Sequence, residues 1–510
     1  FPYVVNTEDD IDDGICDMNH CSLIEAFNAA ENDGINSEII FDISGPTPYT
    51  FTAKFLNYIG TDVLKIDVFS SGLSPGDIIL NRYNDNGNPS SSTSISNSKL
   101  ANIEFTGLKL NGSCGYLIKE NVLFDECIFA DSMSLGASSP SINNTVSNCT
   151  FESTSGHLRA PSNILIVGNT FEGFGTSEGY YSNKAIQGGS GVGVEIRDNK
   201  IFNHFRGIEL HSRGIKILNN EIYNNRTGIY IWGDENSNNL ITENKIENNE
   251  FGVDLSTGAE GNKITLNEFN SNSVHAIQNR GLNNLWSKNT FTCNTFPINN
   301  FFAGNNGIMA PVITNVNQNV IGTAEPNTII EIFVNKDSCD VTVVPQGEDY
   351  LTSGVANTNG DWSIPIPSGM EPGQTIVATQ TNFQNNSSPF SSNQIVLPNV
   401  CALAERLPVN KNPCSTTGIV LDLKQLTDSG EGITSSCSGT YVSNDAWYRV
   451  ETPSTRNFLV RANLNNTVVP VIEAYVGNCG NFVSTQPCAV LDSVPYVMVF
   501  ENYDPGVELY

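Results

Sequence analysis

Residues 196–255 read IRDNKIFNHFRGIELHSRGIKILNNEIYNNRTGIYIWGDENSNNLITENKIENNEFGVDL, and one frame returns three times within them. In each copy an apolar residue is followed by Asn, one polar residue and Ile, as at Ile217, Asn220 and Ile222. A second strand pattern begins eight residues after the Asn, in GIEL, GIYI and GVDL. Because side chains alternate along a strand, we predict that Ile208, Leu210, Ile229, Ile231, Val253 and Leu255 point inward.

The frame also extends beyond this stretch in both directions. The intervals between its Asn residues are 21, 30, 21, 24, 23 and 22, which suits one turn of a β-solenoid. The interval of 30 predicts an inserted loop within residues 172–193. Asn side chains stacked at a recurring turn can satisfy backbone groups there, so we expect them to be structural. They are Asn148, Asn169, Asn199, Asn220, Asn244, Asn267 and Asn289.

The N-terminal region predicts a short helix. Ser22 and Glu25 have the spacing of a capping box. An apolar stripe follows on one helical face, formed by Leu23, Ala26, Phe27 and Ala30. We expect this helix to cover the open end of the stack, next to an early strand at residues 39–43.

Two resemblances accompany these patterns and cover about the first 300 residues. CSLIEA at residues 21–26 resembles the CSLREA motif of bacterial secreted β-helix proteins, with Ile24 where that motif has Arg. The repeats are similar to the general parallel β-helix repeat. The resemblance implies a right-handed parallel β-helix and secretion. The same repeat occurs in lyases, epimerases and adhesins, so it indicates the fold rather than the activity.

We predict an all-β chain with the β-helix at residues 1–307 and two β-sandwich-like domains at 308–398 and 399–510. The segment after Pro311 contains GTAEP at 322–326, NGDW at 359–362 and ATQT at 378–381 between alternating strand patterns. It resembles bacterial Ig-like modules, which implies that Trp362 is a core residue and that the domain is a spacer. The last segment contains DAWYR at 445–449 and YVGNC at 475–479. It resembles C-terminal modules of secreted proteases and surface proteins, which implies attachment. Because the chain stops in a strand pattern at Tyr510, we expect that module to be truncated.

The charge of the chain restricts its partners. The net charge is -29, from 54 acidic and 25 basic residues, which disfavours nucleic acid and anionic membranes as partners. No apolar run is long enough to span a bilayer, so we expect no transmembrane segment. Phe1-Pro2-Tyr3 lacks the features of a signal peptide, and we therefore expect a processed, mature chain.

The twelve cysteines include no Cys-x-x-Cys pair, so disulfides fit better than a zinc site. We predict the pairs Cys16–Cys21 and Cys479–Cys488, and hence a secreted or cell-surface protein. Cys127 and Cys149 occupy matching positions one rung apart, as a disulfide or as stacked free thiols. The pairing stays open for Cys114, Cys127, Cys149, Cys293, Cys339, Cys401, Cys414 and Cys437.

Aligning the rungs on their Asn residues predicts a binding face. His211 then lies beside Trp232, Glu209 beside Tyr230, and Arg213 beside Asp234. Aromatic rings can cover the apolar faces of sugars while charged groups bind hydroxyls or a carboxylate, so a polysaccharide or cell-surface glycan is the expected partner. The predicted ligand-binding residues are Glu209, His211, Tyr230, Trp232 and Asp254. The alternative is purely structural, with exposed ion pairs and cross-strand aromatic contacts.

Two further functions stay open at this stage. A polysaccharide lyase acting on uronates would need a cation to neutralise the carboxylate, from Arg206 or Arg213, and a base, from His211, Tyr230 or Lys184. The inserted loop beside Lys184 would close over the substrate. The third hypothesis is a passive surface or secretion-system passenger, with outer-membrane secretion or anchoring machinery as its partner.

The sequence lacks several linear signatures of catalysis. It contains no His-Glu-x-x-His helix, no phosphate-binding glycine loop and no Asp-Pro-His-Glu sequence of alginate epimerases. We expect no required cofactor. Calcium is the one candidate ion, at Asp10, Asp12 and Asp13, although that acidic run lacks EF-hand spacing and also fits a solvated loop.

Overall fold

A computed structural model describes the chain except for residues 53–57, 82–98, 113, 131–132, 153–157, 178–182, 189–191, 212, 234–236, 317–318, 337–338, 340–343, 367–369, 371–372, 398–403, 408–445, 454–455, 457, 463–470, 479–480, 491–495 and 502. The chain forms two compact units. The first contains Phe1–Ala310, Ser338–Tyr350 and Thr379–Phe390, and the second contains Pro311–Asp337, Leu351–Ala378 and Ser391–Tyr510.

The first unit is a solenoid of three parallel sheets, with 12, 11 and 10 strands. The first sheet contains Pro2–Val5, Ser37–Phe41, Leu64–Asp67, Ile103–Thr106, Val122–Asp125, Asn144–Ser147, Ile164–Val167, Glu195–Arg197, Lys216–Leu218, Leu240–Thr242, Lys263–Thr265 and Leu285–Ser287. The second contains Tyr49–Thr52, Ile78–Asn81, Lys109–Asn111, Ile128–Phe129, Thr150–Phe151, Thr170–Glu172, Lys200–Phe202, Glu221–Tyr223, Lys245–Glu247, Glu268–Asn270 and Thr290–Thr292. The third contains Lys99–Leu100, Cys114–Glu120, Met133–Ile142, Leu158–Ala160, Lys184–Gly188, Arg206–Leu210, Thr227–Ile231, Phe251–Leu255, His275–Asn279 and Phe296–Asn300.

The predicted inward positions of the third sheet are confirmed. Ile208, Leu210, Ile229, Ile231, Val253 and Leu255 are each 0% exposed. The rungs pack so closely that the position before each of these pairs has room only for glycine. A Cβ on Gly207 would lie 2.6 Å from the carbonyl oxygen of Gly228, and one on Gly228 would lie 2.7 Å from that of Gly252. A side chain there would therefore push neighbouring rungs apart.

The Asn residues form a buried ladder, as predicted, but the ladder begins one rung later than the sequence suggested. Each side-chain amide donates to the Oδ1 of the next Asn, for example from Asn220 to Asn244 at 2.9 Å. The backbone N–H of Asn220 donates to the same Oδ1, also at 2.9 Å. The assignment of Asn148 was wrong, because it adopts a left-handed φ of 53° and Cys149 occupies the ladder position.

Cys149 takes over part of the hydrogen bonding of an Asn. Its thiol donates to the backbone oxygens of Ser147 at 3.0 Å and Phe124 at 3.5 Å. Asn199 donates to the equivalent oxygens, those of Arg197 and Ile166. Cys127 and Cys149 are both buried free thiols rather than a disulfide. Burial is the main cause that raises the pKa of the Cys149 thiol.

Two further ladders were missed in the sequence. The second contains Asn225, Asn249, Asn272 and Asn294, and it begins at the backbone N–H of His204. The third contains Asn239, Asn262 and Asn284, and it ends at Asn305. The buried turns are therefore held by the same amide chemistry at three positions of the rung.

The predicted N-terminal cap is present. Helix α1 spans Leu23–Asp33, begins with the capping box of Ser22 and Glu25, and ends at Gly34 in the left-handed region. The four apolar residues of its predicted stripe are buried. The helix packs against the strands Pro2–Val5 and Ser37–Phe41. The predicted Cys16–Cys21 disulfide is present directly before it.

The other end of the solenoid is covered by the two short segments that belong to the same unit. Gln346 extends the second ladder by accepting from the backbone N–H of Asn294 at 3.1 Å. The indole of Trp286 is 2% exposed and donates to the backbone oxygen of Ser388 at 2.9 Å. A disulfide joins Cys293 to Cys339. The backbone N–H of Asn294 and the indole of Trp286 on the last rung thus have hydrogen-bond partners instead of facing solvent.

From Val312 onward the chain forms small sheets that are consistent with β-sandwich-like modules. Val312–Val316, Asn319–Thr323 and Asp361–Pro365 form a three-stranded antiparallel sheet, and Asp349–Val355, Ile329–Asn335, Thr375–Thr381 and Gln394–Ile395 form a four-stranded one. Further strands are Glu405–Arg406, Tyr448–Glu451, Phe458–Ala462, Val471–Asn478, Asn481–Val490, Tyr496–Phe500 and Glu508–Leu509. Trp362 is a core residue as predicted, at 2% exposure. The predicted Cys479–Cys488 pair lies outside the described residues.

Helical structure is scarce among the described residues. Besides α1, there is a 3₁₀ turn at Phe69–Ser71, and Phe301–Gly307 forms turns in which Phe302, Ala303, Asn305 and Asn306 adopt left-handed backbone angles. None of these is long and apolar enough to cross a membrane.

Replacing a ladder residue should destabilise the solenoid. Asn244→Ala removes the acceptor for the backbone N–H of Asn220 and the donor to the backbone oxygens of Ile217 and Thr242. Because these buried groups lose their partner, we expect unfolding to become easier by about 3 kcal/mol. Denaturant unfolding followed by circular dichroism measures this change. Asn28→Ala on the exposed side of α1 is the control, and an equal effect of both variants would contradict a structural role for the ladder.

Cys149 should accept Asn but not Val. Cys149→Asn restores an amide donor for the two backbone oxygens. The Oδ1 of the new Asn would accept from the backbone N–H of Cys127, just as the Oδ1 of Asn169 accepts from the backbone N–H of Cys149. We expect stability at least equal to wild type, whereas Cys149→Val should cost about 1–3 kcal/mol through unsatisfied carbonyls. The same denaturation assay distinguishes the two. A valine variant as stable as the asparagine variant would show that the thiol only fills space.

Candidate functional site

The candidate site lies on the outer surface of the third sheet, where strand register brings side chains from successive rungs together. Glu209 pairs with Tyr230, and Tyr230 pairs with Asp254. His211 and Trp232 directly follow the paired residues Leu210 and Ile231. The structure thus brings together the five residues predicted to bind ligand. We call the row of Gln187, Glu209, Tyr230, Asp254 and Gln278 the polar row.

Glu209 is the centre of a charged cluster. It is only 2% exposed, and its Oε1 accepts from Lys184 Nζ at 2.7 Å and contacts His211 Nε2 at 2.8 Å. Arg206 donates to its Oε2, and Gln187 donates to Oε1 at 3.2 Å. Two cations face one carboxylate, so Lys184, Arg206 and Glu209 together keep a net positive charge.

The electrostatics of Glu209 result from two opposed effects. Burial acts to raise the pKa of its carboxyl group. The hydrogen bonds from Lys184, Arg206 and His211 outweigh burial and lower that pKa from 4.5 to about 2. Glu209 therefore stays ionised at any pH at which the protein is expected to work.

Aromatic rings lie on the next rung, directly beside this cluster. The Arg206 guanidinium lies 3.9 Å from the centroid of the Tyr230 ring, within cation–π range. The His211 and Trp232 rings are stacked, with centroids 5.8 Å apart and an interplanar angle of 21°. Trp232 is 48% exposed. A ring with that much exposed surface is available to a ligand.

Asp254 continues the polar row at the next rung. It is 8% exposed and accepts from Arg280 at 2.8 Å and from Gln278 at 3.1 Å. Arg280, Gln278 and Gln187 were missed in the sequence because the rung alignment was read over only three rungs. Extending the same register by one strand on each side would have found them.

Arg213 and the inserted loop contribute less to the described site. Arg213 is exposed, while its predicted neighbour Asp234 lies outside the described residues. Part of the inserted loop, residues 178–182 and 189–191, also lies outside them, so loop closure over a substrate stays a prediction. Lys184, the predicted base beside that loop, is instead the ion-pair partner of Glu209.

Two of the candidate catalytic groups have defined surroundings. Burial is the main cause that raises the pKa of Tyr230, so its phenol is protonated at neutral pH and suits hydrogen bonding better than proton abstraction. His211 contacts Glu209 through Nε2. A carboxylate on one ring nitrogen orients an imidazole and leaves Nδ1 to act as a base.

The N-terminal acidic run is arranged differently from the prediction. Among the described residues, Asp13, His20 and Glu25 place ligand atoms within 4.8 Å of one another. Asp12 instead caps backbone at Gly14 and accepts from Asn28. His20 contacts Asp9 at 3.1 Å and Glu25 at 3.0 Å, and the Asp9 hydrogen bond is the main cause that raises the His20 pKa. An imidazole held between carboxylates accounts for this cluster, and calcium at Asp10, Asp12 and Asp13 stays a prediction.

Comparison with known families supports the architecture. A family model described as a right handed beta helix region matches residues 86–236 and 184–332. The solenoid is a right-handed parallel β-helix. The second match contains the whole candidate site, and the first contains its part up to Trp232. This fold is common among carbohydrate-active proteins and surface proteins. No curated protein matches the chain.

The ionic part of the Glu209 cluster should make the stability of the β-helix depend on pH. At about pH 7, Glu209→Gln leaves Lys184 and Arg206 without their carboxylate, and we expect a loss of about 3 kcal/mol. The folded pKa of about 2 lies below the ordinary 4.5, so this contribution is complete above the unfolded pKa and declines as the pH falls toward 2. The difference in unfolding free energy between wild type and Glu209→Gln should therefore be smaller at about pH 3 than at about pH 7.

Denaturant unfolding at the two pH values measures this gap. Glu221→Gln is the control, because Glu221 lies on the second sheet and its side chain is 55% exposed. A gap of the same size at both pH values would mean that Glu209 stabilises the fold by shape rather than by charge.

Proposed function

We propose that the protein is a secreted or cell-surface glycan-binding protein whose β-helix presents the binding face. The observation that carries the proposal is the half-exposed Trp232, stacked on His211 beside a cluster with net positive charge. Aromatic rings bind the C–H faces of sugars, and cations bind their hydroxyl or carboxylate oxygens. The binding needs no cofactor.

The remaining parts of the chain fit an extracellular role. The Cys16–Cys21 and Cys293–Cys339 disulfides support an oxidising compartment. In this proposal the segment at 308–398 acts as an Ig-like spacer and the segment at 399–510 contributes attachment. Outer-membrane secretion or anchoring machinery is the expected partner for that attachment.

A uronate lyase is the second candidate, and one observation favours it. Glu209 holds Nε2 of His211, so the imidazole is oriented as a general base would be. Arg206 would be the neutralising cation, but it is already engaged by Glu209 and by the Tyr230 ring. A substrate carboxylate would have to compete with Glu209 for it. For this reason we favour glycan binding over lyase activity.

Removing Trp232 and His211 together should abolish most of the glycan binding without unfolding the chain. Both side chains are partly exposed, and neither belongs to the buried ladders. We expect affinity to fall at least about tenfold, equivalent to about 1.4 kcal/mol. The measurement is a glycan-array screen on the intact chain, followed by titration with the best acidic polysaccharide.

Tyr223→Ala is the matched control, because Tyr223 stacks on Phe202 at 5.0 Å on the second sheet, away from the candidate site. The same incubations are monitored for new ultraviolet absorbance from unsaturated uronates. Absorbance that His211→Ala removes would establish the lyase. A chain that neither binds nor cleaves any glycan would instead be a passive passenger.

A further inference from the structure

The binding face continues beyond the predicted residues, and its chemistry changes along the solenoid axis. Strand register aligns Lys184, Arg206, Thr227, Phe251, His275 and Phe296 in one row, which we call the side row. The side row borders the polar row, because Asn299, which pairs with Gln278, lies 3.3 Å from Nε2 of His275. The side row is cationic at its first two rungs and aromatic at its last three.

The cationic end suits an anionic sugar. Lys184 and Arg206 share the single carboxylate of Glu209, and both side chains keep some exposure, 18% and 21%. A ligand carboxylate at this end would meet two cations and one fixed anion. Charge-assisted hydrogen bonds from Lys and Arg are the stronger kind, so this end would favour a uronate or a similarly charged sugar.

The aromatic end suits an uncharged sugar. The His275 ring lies 6.0 Å from the Phe251 ring and 5.3 Å from the Phe296 ring. Phe296 is 49% exposed. Burial lowers the pKa of His275, so the imidazole between the two phenyl rings is neutral at neutral pH. A ligand carboxylate here would lose hydration against apolar rings. The nearby Asp254 and Arg280 form an ion pair, so together they supply no net positive charge to compensate for that loss.

The length of the side row exceeds that of one sugar. It crosses six adjacent strands, which places its ends roughly 24 Å apart at the usual strand spacing. Both ends are therefore engaged only by an oligosaccharide that runs along the solenoid axis. Homopolymeric uronates would bring a carboxylate with every sugar that reaches Phe251 and Phe296. A polymer that alternates charged and neutral sugars carries half as many carboxylates and can place a neutral sugar on the exposed Phe296 ring.

We infer that the ligand is an acidic heteropolysaccharide, with an anionic sugar at Lys184 and Arg206 and a neutral sugar on Phe251, His275 and Phe296. This inference rests on the proposed glycan-binding function. It deepens that function by assigning a substrate class and by adding a second half to the site.

The experiment compares two panels of oligosaccharides of matched length by titration calorimetry on the full chain. One panel alternates uronate with N-acetylhexosamine, as in hyaluronan, chondroitin and heparosan. The other panel is homopolymeric, with galacturonate, mannuronate and guluronate oligomers. We expect the best alternating oligomer to bind at least about tenfold more tightly than the best homopolymer, a difference of about 1.4 kcal/mol.

Variants then divide the site into its two ends. Phe296→Ala should weaken the alternating oligomer about tenfold and leave homopolymer binding unchanged, which removes the preference. Lys184→Gln should weaken both panels, because both carry carboxylates. Tyr223→Ala on the second sheet is the control for aromatic loss, and circular dichroism verifies that each variant is folded.

The possible outcomes separate the two levels of the proposal. Equal or tighter binding of homopolymers, with no effect of Phe296→Ala, overturns the heteropolysaccharide inference and leaves glycan binding intact. An absence of binding to both panels overturns the inference together with the proposed function. A preference for alternating oligomers that survives Phe296→Ala would place the neutral sugar elsewhere and overturn the assignment of the aromatic end.

Discussion

The fold depends on one hydrogen-bonding arrangement, in which a buried Asn at each turn accepts from the backbone of the preceding rung. A solenoid turns its chain sharply on every rung, and the backbone N–H and carbonyl groups at those bends cannot pair within the sheets. The amide has both a donor and an acceptor, so a single side chain satisfies groups on two sides. Three parallel ladders repeat this solution, and they fix the rung spacing along the axis.

The fixed spacing between rungs places residues that are far apart in the sequence side by side on one surface. Once the ladders and inward aliphatic residues set the register, any outward position becomes a row of neighbours about one strand apart. The side chains on such a row do not set the register, because the ladders and the inward aliphatic residues set it. Glu209, Tyr230 and Asp254 are neighbours for this reason alone, although 21 and 24 residues separate them in the sequence.

Local and periodic features could be predicted from the sequence, while non-local ones could not. The capping box, the helix over the first strands and the inward Ile and Leu positions are encoded within a few residues. The replacement of Asn by Cys149 hid the start of the first ladder, because a thiol is not expected to imitate an amide. The Cys293–Cys339 disulfide and the ladder extension at Gln346 join segments about 50 residues apart with no shared motif. The strand register predicted which site residues are neighbours. It did not predict that Glu209 and Asp254 are buried, because their burial depends on side chains of the neighbouring rungs.

The structural and functional parts of the face can be separated by asking which side chains the fold itself requires. Glu209 is buried and charged, so its cations are needed to offset its desolvation whether or not a ligand binds. That requirement explains Lys184 and Arg206 but not Trp232 or Phe296, which are about half exposed and gain little from the solenoid. Exposed aromatic rings are costly in water, and the stacked pair on the second sheet is covered more fully. The fold leaves the rings of Trp232 and Phe296 about half exposed. A bound ligand that covers these rings would therefore gain burial that folding alone does not provide.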